Sequence, residues 1–195
     1  MKYYLAWISL LMAYGAYMMV WISTPLAGLS FNAYDLADWV VIYPPTPNRP
    51  DSFLLAIGLR LLPILLIWLG CFYIQGIGGI RYILGMGLIG ILMLSVAPPP
   101  ELLTDRHNPD HIQRLQLFIV MLVGSGIILS GFITPFKKWF FLILGIIGVS
   151  SSIWSILQIQ TLFIDNSMPV SIGFSAFLFP VLLLASMAWN LKWQS

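Results

Sequence analysis

The stretch Phe53-Leu-Leu-Ala-Ile-Gly-Leu-Arg60-Leu-Leu-Pro63-Ile-Leu-Leu-Ile-Trp-Leu-Gly-Cys71-Phe-Tyr73 carries one charge in 21 residues. At about 1.5 Å per helical residue such a run reaches about 30 Å, the thickness of a bilayer's hydrocarbon core. It shows neither the alternation of a half-buried strand nor a polar helical face, so it reads as a transmembrane helix. Pro63 predicts a kink three residues beyond Arg60.

Outward from this run, five more apolar segments bounded by charge, proline or glycine clusters fall at about 3–22, 82–97, 115–133, 139–163 and 170–191. The third of the six is short, because Pro98, Pro99 and Pro100 end it early. The expected fold class is therefore all-α: a polytopic integral membrane helical bundle of about six transmembrane helices, with a short outer interfacial helix. No long polar stretch interrupts the chain, so 1–195 reads as a single transmembrane domain with outer loops at 23–52 and 98–114. The composition agrees. Hydrophobic residues make up 59% and charged ones 8%, with a mean hydropathy of +0.92. A soluble domain carries about 25% charge, so a water-soluble globule is excluded, as are a disordered chain and, with Cys71 alone, a disulfide scaffold.

Charge placement sets the expected orientation. With the amino terminus inside, the inner side holds Lys2, Arg81, Lys137, Lys138 and Lys192 and no acid. The outer side then holds Asp35, Asp38, Asp51, Glu101, Asp105, Asp110 and Asp165, with Arg49, Arg106 and Arg114. The positive-inside rule counts the cations, five against three, so both termini are expected in the cytoplasm and the acidic loops on the outer face of the plasma (inner) membrane. The first segment is expected to be an uncleaved anchor, being longer than a signal-peptide core and lacking a good cleavage site.

In the first outer loop, Asn32 is placed to cap a short helix, Asp35 and Asp38 lie in or near its first turn, and Pro44-Pro45 end it. Leu36, Trp39, Val40 and Tyr43 share one face, so this helix is expected along the outer interface, capping the bundle or offering a docking surface. Both larger outer loops end alike, in Asn48-Arg-Pro-Asp51 and His107-Asn-Pro-Asp110, where Asp51 and Asp110 are expected to cap the incoming helices. The inner connections at 75–81 and 134–138 are tight and predict antiparallel neighbours on either side.

Arg60 is the one charge well inside a predicted span. A charge there is costly unless it snorkels, pairs or serves a polar cavity, so it is either matched by an outer acid such as Asp35 or Asp38 or contacts a substrate. His107 and His111, with Asp110, are weak candidates for a metal because Pro109 interrupts the helix their spacing needs. The fifth segment offers a stripe of Gly148, Ser151 or Ser152, Ser155 and Gln158 that should face the bundle interior. Ala6, Ser9, Ala13 and Ala16, and the pair Gly126 and Ser130, are expected to pack helices together.

No histidine lies in a span, and CxxC, phosphate-loop and nucleophile-elbow patterns are missing, so no catalytic residue and no cofactor is expected. No span buries a carboxylate, which argues against an ion-coupled carrier, and no basic patch suggests nucleic acid. The expected function is a non-catalytic accessory or scaffold subunit of a larger membrane complex, whose partners are the lipid bilayer and other membrane-protein subunits. The alternative is a permease or channel-like protein for a small solute or lipid. The candidate substrate or partner contacts are Arg60, Asp35, Asp38, Trp39, Ser151, Ser155 and Gln158. An outer-loop metal enzyme ranks third.

Overall fold

The computed structural model describes residues 2–24, 28–42, 50–75, 77–100, 105 and 107–191. Its helices are α1 (Lys2–Met18), α2 (Ala33–Ile42), α3 (Pro50–Ile74), α4 (Ile80–Leu94), α5 (Pro109–Leu129), α6 (Lys137–Asp165) and α7 (Phe174–Leu191). Three short strands, β1 (Val20–Thr24), β2 (Leu29–Asn32) and β3 (Ser171–Ile172), form a sheet in the order β2-β1-β3.

Each of the six expected segments contains a helix, and among the described residues three are long and apolar enough to cross a membrane: 52–74, 109–129 and 134–165. The other three, α1, α4 and α7, are apolar but shorter, with 17, 15 and 18 residues. Two of them fall short for a reason hydropathy does not register. The apolar run 3–22 is not one helix: it leaves the helix after Met18 and becomes β1, whose Ile22 and Ser23 pair with Ile172 and Ser171 of β3. The run 170–191 likewise spends its first residues on β3 before α7 begins at Phe174. An all-helical bundle is thus corrected to a helical one with a small antiparallel sheet at one end.

α3 is the axis of the fold. It packs against α1, α2, α4, α5 and α6, and 72% of its apolar window is buried, against 22% for α5 and 39% for α6. Leu59, Leu62, Ile64, Leu66, Ile67 and Leu69 point to different sides of α3 and are all fully buried, as expected of a helix apolar all round. The helix runs unbroken through Pro63. α5 and α6, expected to be neighbours because their connection is tight, instead both lie on α3 and barely touch one another. α1 and α7 share the most extensive helix–helix contact, with Ala6, Ala13 and Ala16 buried on α1.

α2 forms where Asn32 predicts it, and the Asn32 side chain accepts from the Asp35 backbone N–H at 2.8 Å. Its inward face is Ala33, Leu36, Ala37 and Val40, all buried on α3, and Trp39 stacks on Phe163 of α6 with ring centroids 4.8 Å apart. One face of α2 thus packs on the bundle, while Asp35 stays exposed. Tyr43 and the prolines after it are outside the described residues.

Candidate functional site

Three elements bring charge together around Arg60. α3 contributes Arg60 itself, about 15 Å along the helix from Pro50 at 1.5 Å per residue. α5 contributes Asp110, Gln113 and Arg114 from its first two turns, and α2 contributes Asp38. Arg60 Nη1 lies 2.6 Å from Asp110 Oδ1 and also donates to Gln113 Oε1 at 2.6 Å, while Nη2 donates to Asp38 Oδ1 at 2.9 Å. Arg114 closes the ring: its Nε donates to Asp110 Oδ2 at 3.0 Å, one helical turn away, and its Nη2 pairs with Asp38.

Two guanidiniums and two carboxylates thus form a neutral, cyclic network. The Arg60 side chain is 8% exposed, Asp110 and Arg114 are 14% exposed, and Asp38 is 28% exposed. Planar guanidinium forks suit this geometry because each presents several donors in fixed directions to two acceptors at once. Gln113 extends the network into the backbone by donating from Nε2 to Phe53 O at 3.3 Å. The result ties the starts of α3 and α5 and the α2 cap into one unit.

Local sequence explains each placement. Asn108 caps α5, its side chain accepting from the Asp110 N–H at 3.0 Å, with Pro109 at the first helical position. This corrects the expectation that Asp110 is the cap. Displaced into the first turn, Asp110 sits one turn before Arg114 and is free to face α3. The side chain of Asp51, the other expected cap, lies outside the described residues, as do Glu101 and Arg49.

A small cavity adjoins the network, bordered by Tyr17, Tyr34, Arg60, Pro63, Ser95 and Arg114. It offers about 20 Å³ to the centre of a water molecule, room for one water or so. The Tyr17 ring is fully buried and its hydroxyl has no hydrogen-bond partner among the described residues.

The remaining sequence candidates lie apart from this cluster. Asp35 is exposed, and Trp39 belongs to the aromatic stack with Phe31 and Phe163. His111 Nδ1 lies 3.2 Å from Asp105 O, His107 is exposed, and both oxygens of Asp110 face arginines. Among the described residues no group of three metal-ligating side chains forms.

The α6 stripe divides. Ser152 and Ser155 are buried, Ser151 is half-buried and Gln158 is exposed. Ser152 donates to Gly148 O at 2.7 Å within its own helix, and a Cβ built on Gly58 would come 3.1 Å from Ser155 Oγ. Those serines mark a close contact of α3 with α6. Arg114, Gln113, Tyr17 and Tyr34 are the cluster residues that sequence reading did not single out. The one available signal was the acid–base pair at i, i+4 in Asp110 and Arg114. Comparison of the chain with protein-family models, curated proteins and solved structures found no match.

Proposed function

We propose that the chain is a multi-pass membrane protein that works as a non-catalytic accessory or scaffold subunit of a larger membrane assembly. Both termini would be cytoplasmic and the Arg60 cluster would lie near the outer face. The observation that carries this reading is a set of helical glycines that pack against nothing. At Gly87 and Gly90 of α4 and Gly126 of α5 an added Cβ would meet no atom within 4 Å. Glycine inside a helix costs about 1 kcal/mol relative to alanine. In a bilayer that cost is offset where a small residue lets a second helix approach closely. Gly126 was expected to pack within the chain, yet it is Gly124 that does so, against Trp68, leaving Gly126 on the open side. Ile83, Ile91 and Leu94 of α4 and Val123 and Ile127 of α5 are also exposed. The Arg60 network fits a structural role, since its charges satisfy one another.

The test is the size and company of the protein extracted in mild detergent or nanodiscs. A stoichiometric partner, or a defined oligomer, is expected, and Gly87→Leu and Gly126→Leu should each weaken it without unfolding the chain. A monodisperse monomer with no stoichiometric partner in native pull-down overturns the proposal.

A second reading, a permease or channel-like protein for a small solute or lipid, draws its support from the cavity beside Arg60 and the unpartnered Tyr17 hydroxyl. Flux in proteoliposomes that is unchanged in Arg60→Met would remove that support.

A further inference from the structure

The end of the bundle opposite the Arg60 cluster holds a different kind of charge. The turn after α3 and the turn before α6 border an open pocket of about 580 Å³, lined by Gln75, Ile77, Tyr82, Gly131, Thr134 and Lys137 among others. Its polar and apolar surfaces are about equal, unlike the apolar groove between α6 and α7.

Lys137 is 8% exposed. Its ammonium makes one long hydrogen bond, to Phe72 O at 3.5 Å, and lies over the rings of Phe72 and Phe141 at 5.7 and 5.5 Å. A lysine ammonium has three donors, and aromatic faces compensate only part of its lost hydration. The ion pairs found among the described residues all belong to the Arg60 network, so no described carboxylate answers Lys137. The described acids lie in segments at or near the other end. Lys137 also opens α6, whose first turn has no acid, so the positive end of the helix dipole adds to the same potential.

A second polar group points to an occupant as well. Gln75 Nε2 donates to Ile128 O, which orients the amide, and leaves Oε1 buried without a donor among the described residues. The pocket is therefore lined by Lys137, a buried cation only partly compensated, and by Gln75, whose amide keeps an orphaned acceptor. Buried charges and acceptors left unmatched each cost stability that a ligand of complementary chemistry recovers.

We propose that this pocket binds a phosphate-type anion that also carries a hydrogen-bond donor, with Lys137 supplying the counter-charge and Gln75 Oε1 accepting from the donor. Thr134 and Tyr82 at the rim add hydroxyls able to donate to phosphate oxygens. Hydrogen phosphate and a hydroxyl-bearing lipid headgroup share that chemistry. The site stands independently of the accessory-subunit proposal, since it needs no partner protein.

The test is calorimetric titration of the full chain in detergent at constant ionic strength, with inorganic phosphate and, separately, with dioctanoyl phosphatidylglycerol. Saturable one-to-one binding of at least one probe is expected. Saturation by phosphate identifies a free anion as sufficient, and saturation by the lipid alone assigns the headgroup. Lys137→Met should weaken binding at least tenfold, whereas Lys138→Met, which removes an exposed charge next to it, should leave the affinity within about twofold. Gln75→Glu places a carboxylate in the pocket and should abolish binding with Lys137 intact, so the question stays decidable if Lys137→Met fails to fold. No saturable binding of either probe overturns the proposal. So does equal weakening by Lys137→Met and Lys138→Met, which would indicate diffuse attraction.

Discussion

Arg60 shows what one residue can contribute when its neighbours are set by the fold. Its guanidinium answers two carboxylates and an amide from two other helices, and the Arg60 side chain is 8% exposed. Removing a partner from such a pair leaves the others charged and poorly solvated. Arg60→Met is therefore expected to cost about 3–5 kcal/mol, seen as a lower thermal midpoint in detergent. Arg60→Lys should recover only part of this, since an ammonium cannot present a planar fork to Asp38 and Asp110 together. Pairing with an outer acid was legible from the sequence, because an intramembrane arginine demands a partner and Asp38 was among those available. The choice of Asp110 and the entry of Arg114 and Gln113 were not. They depend on α5 starting at Pro109 and lying beside α3, which no local pattern specifies.

At the scale of the element, caps and close approaches separate what is tolerant from what is not. Asn108→Ala removes the side-chain acceptor at the start of α5 and should cost about 1 kcal/mol. Gly173 follows β3, and a Cβ there would lie 2.1 Å from Val20 O of β1, while its own N–H donates to Trp21 O at 2.6 Å. Backbone meets backbone at that point, with no flexible side chain to yield. Gly173→Ala is expected to reduce folded yield sharply, as measured by monodisperse recovery in detergent. Gly126→Ala should do the opposite in the isolated chain, gaining about 0.5–1 kcal/mol, because helix propensity improves and nothing is in the way. The sheet itself was hidden from sequence reading, since Val20-Trp-Ile-Ser-Thr24 continues the apolar character of α1 without a break in hydropathy. β1 holds because Trp21 is fully buried, donating to Ala16 O at 2.8 Å and packing on Tyr17 and Phe179, which turns the chain out of the helix.

For the whole molecule, the two ends have opposite electrostatic character. One carries the neutral Arg60 network, with Asp35, Asp105 and Asp165 in segments toward the same end; the other carries Arg81, Lys137 and Lys138. If the basic end is cytoplasmic, as the positive-inside rule requires, single cysteines at the two ends should label from opposite sides of sealed vesicles. His107→Cys and Lys138→Cys, both at exposed positions, in a Cys71→Ala background provide that measurement. Reagent from the same side reaching both would overturn the proposed topology. A bundle in which α3 is buried and α4, α5 and α6 present apolar side chains outward is also what a chain solvated by lipid requires.

The sequence by itself determined the solvent and the grain of the molecule. Scarce charge and long apolar runs point to helices in a bilayer, and the sorting of acids from bases carries the proposed orientation, because both readings depend on composition along the chain and not on who touches whom. Tertiary structure decided the rest. Hydropathy measures transfer to an apolar medium and is blind to whether that medium is lipid or protein, so it could not separate the three helices long enough to span from the three that are shorter. It could not show that α3 lies at the centre, that the apolar run after α1 becomes a strand, or that Asp38, Asp110 and Arg114 meet at Arg60 while Lys137 meets no acid among the described residues. Those are facts of proximity between residues far apart in the chain.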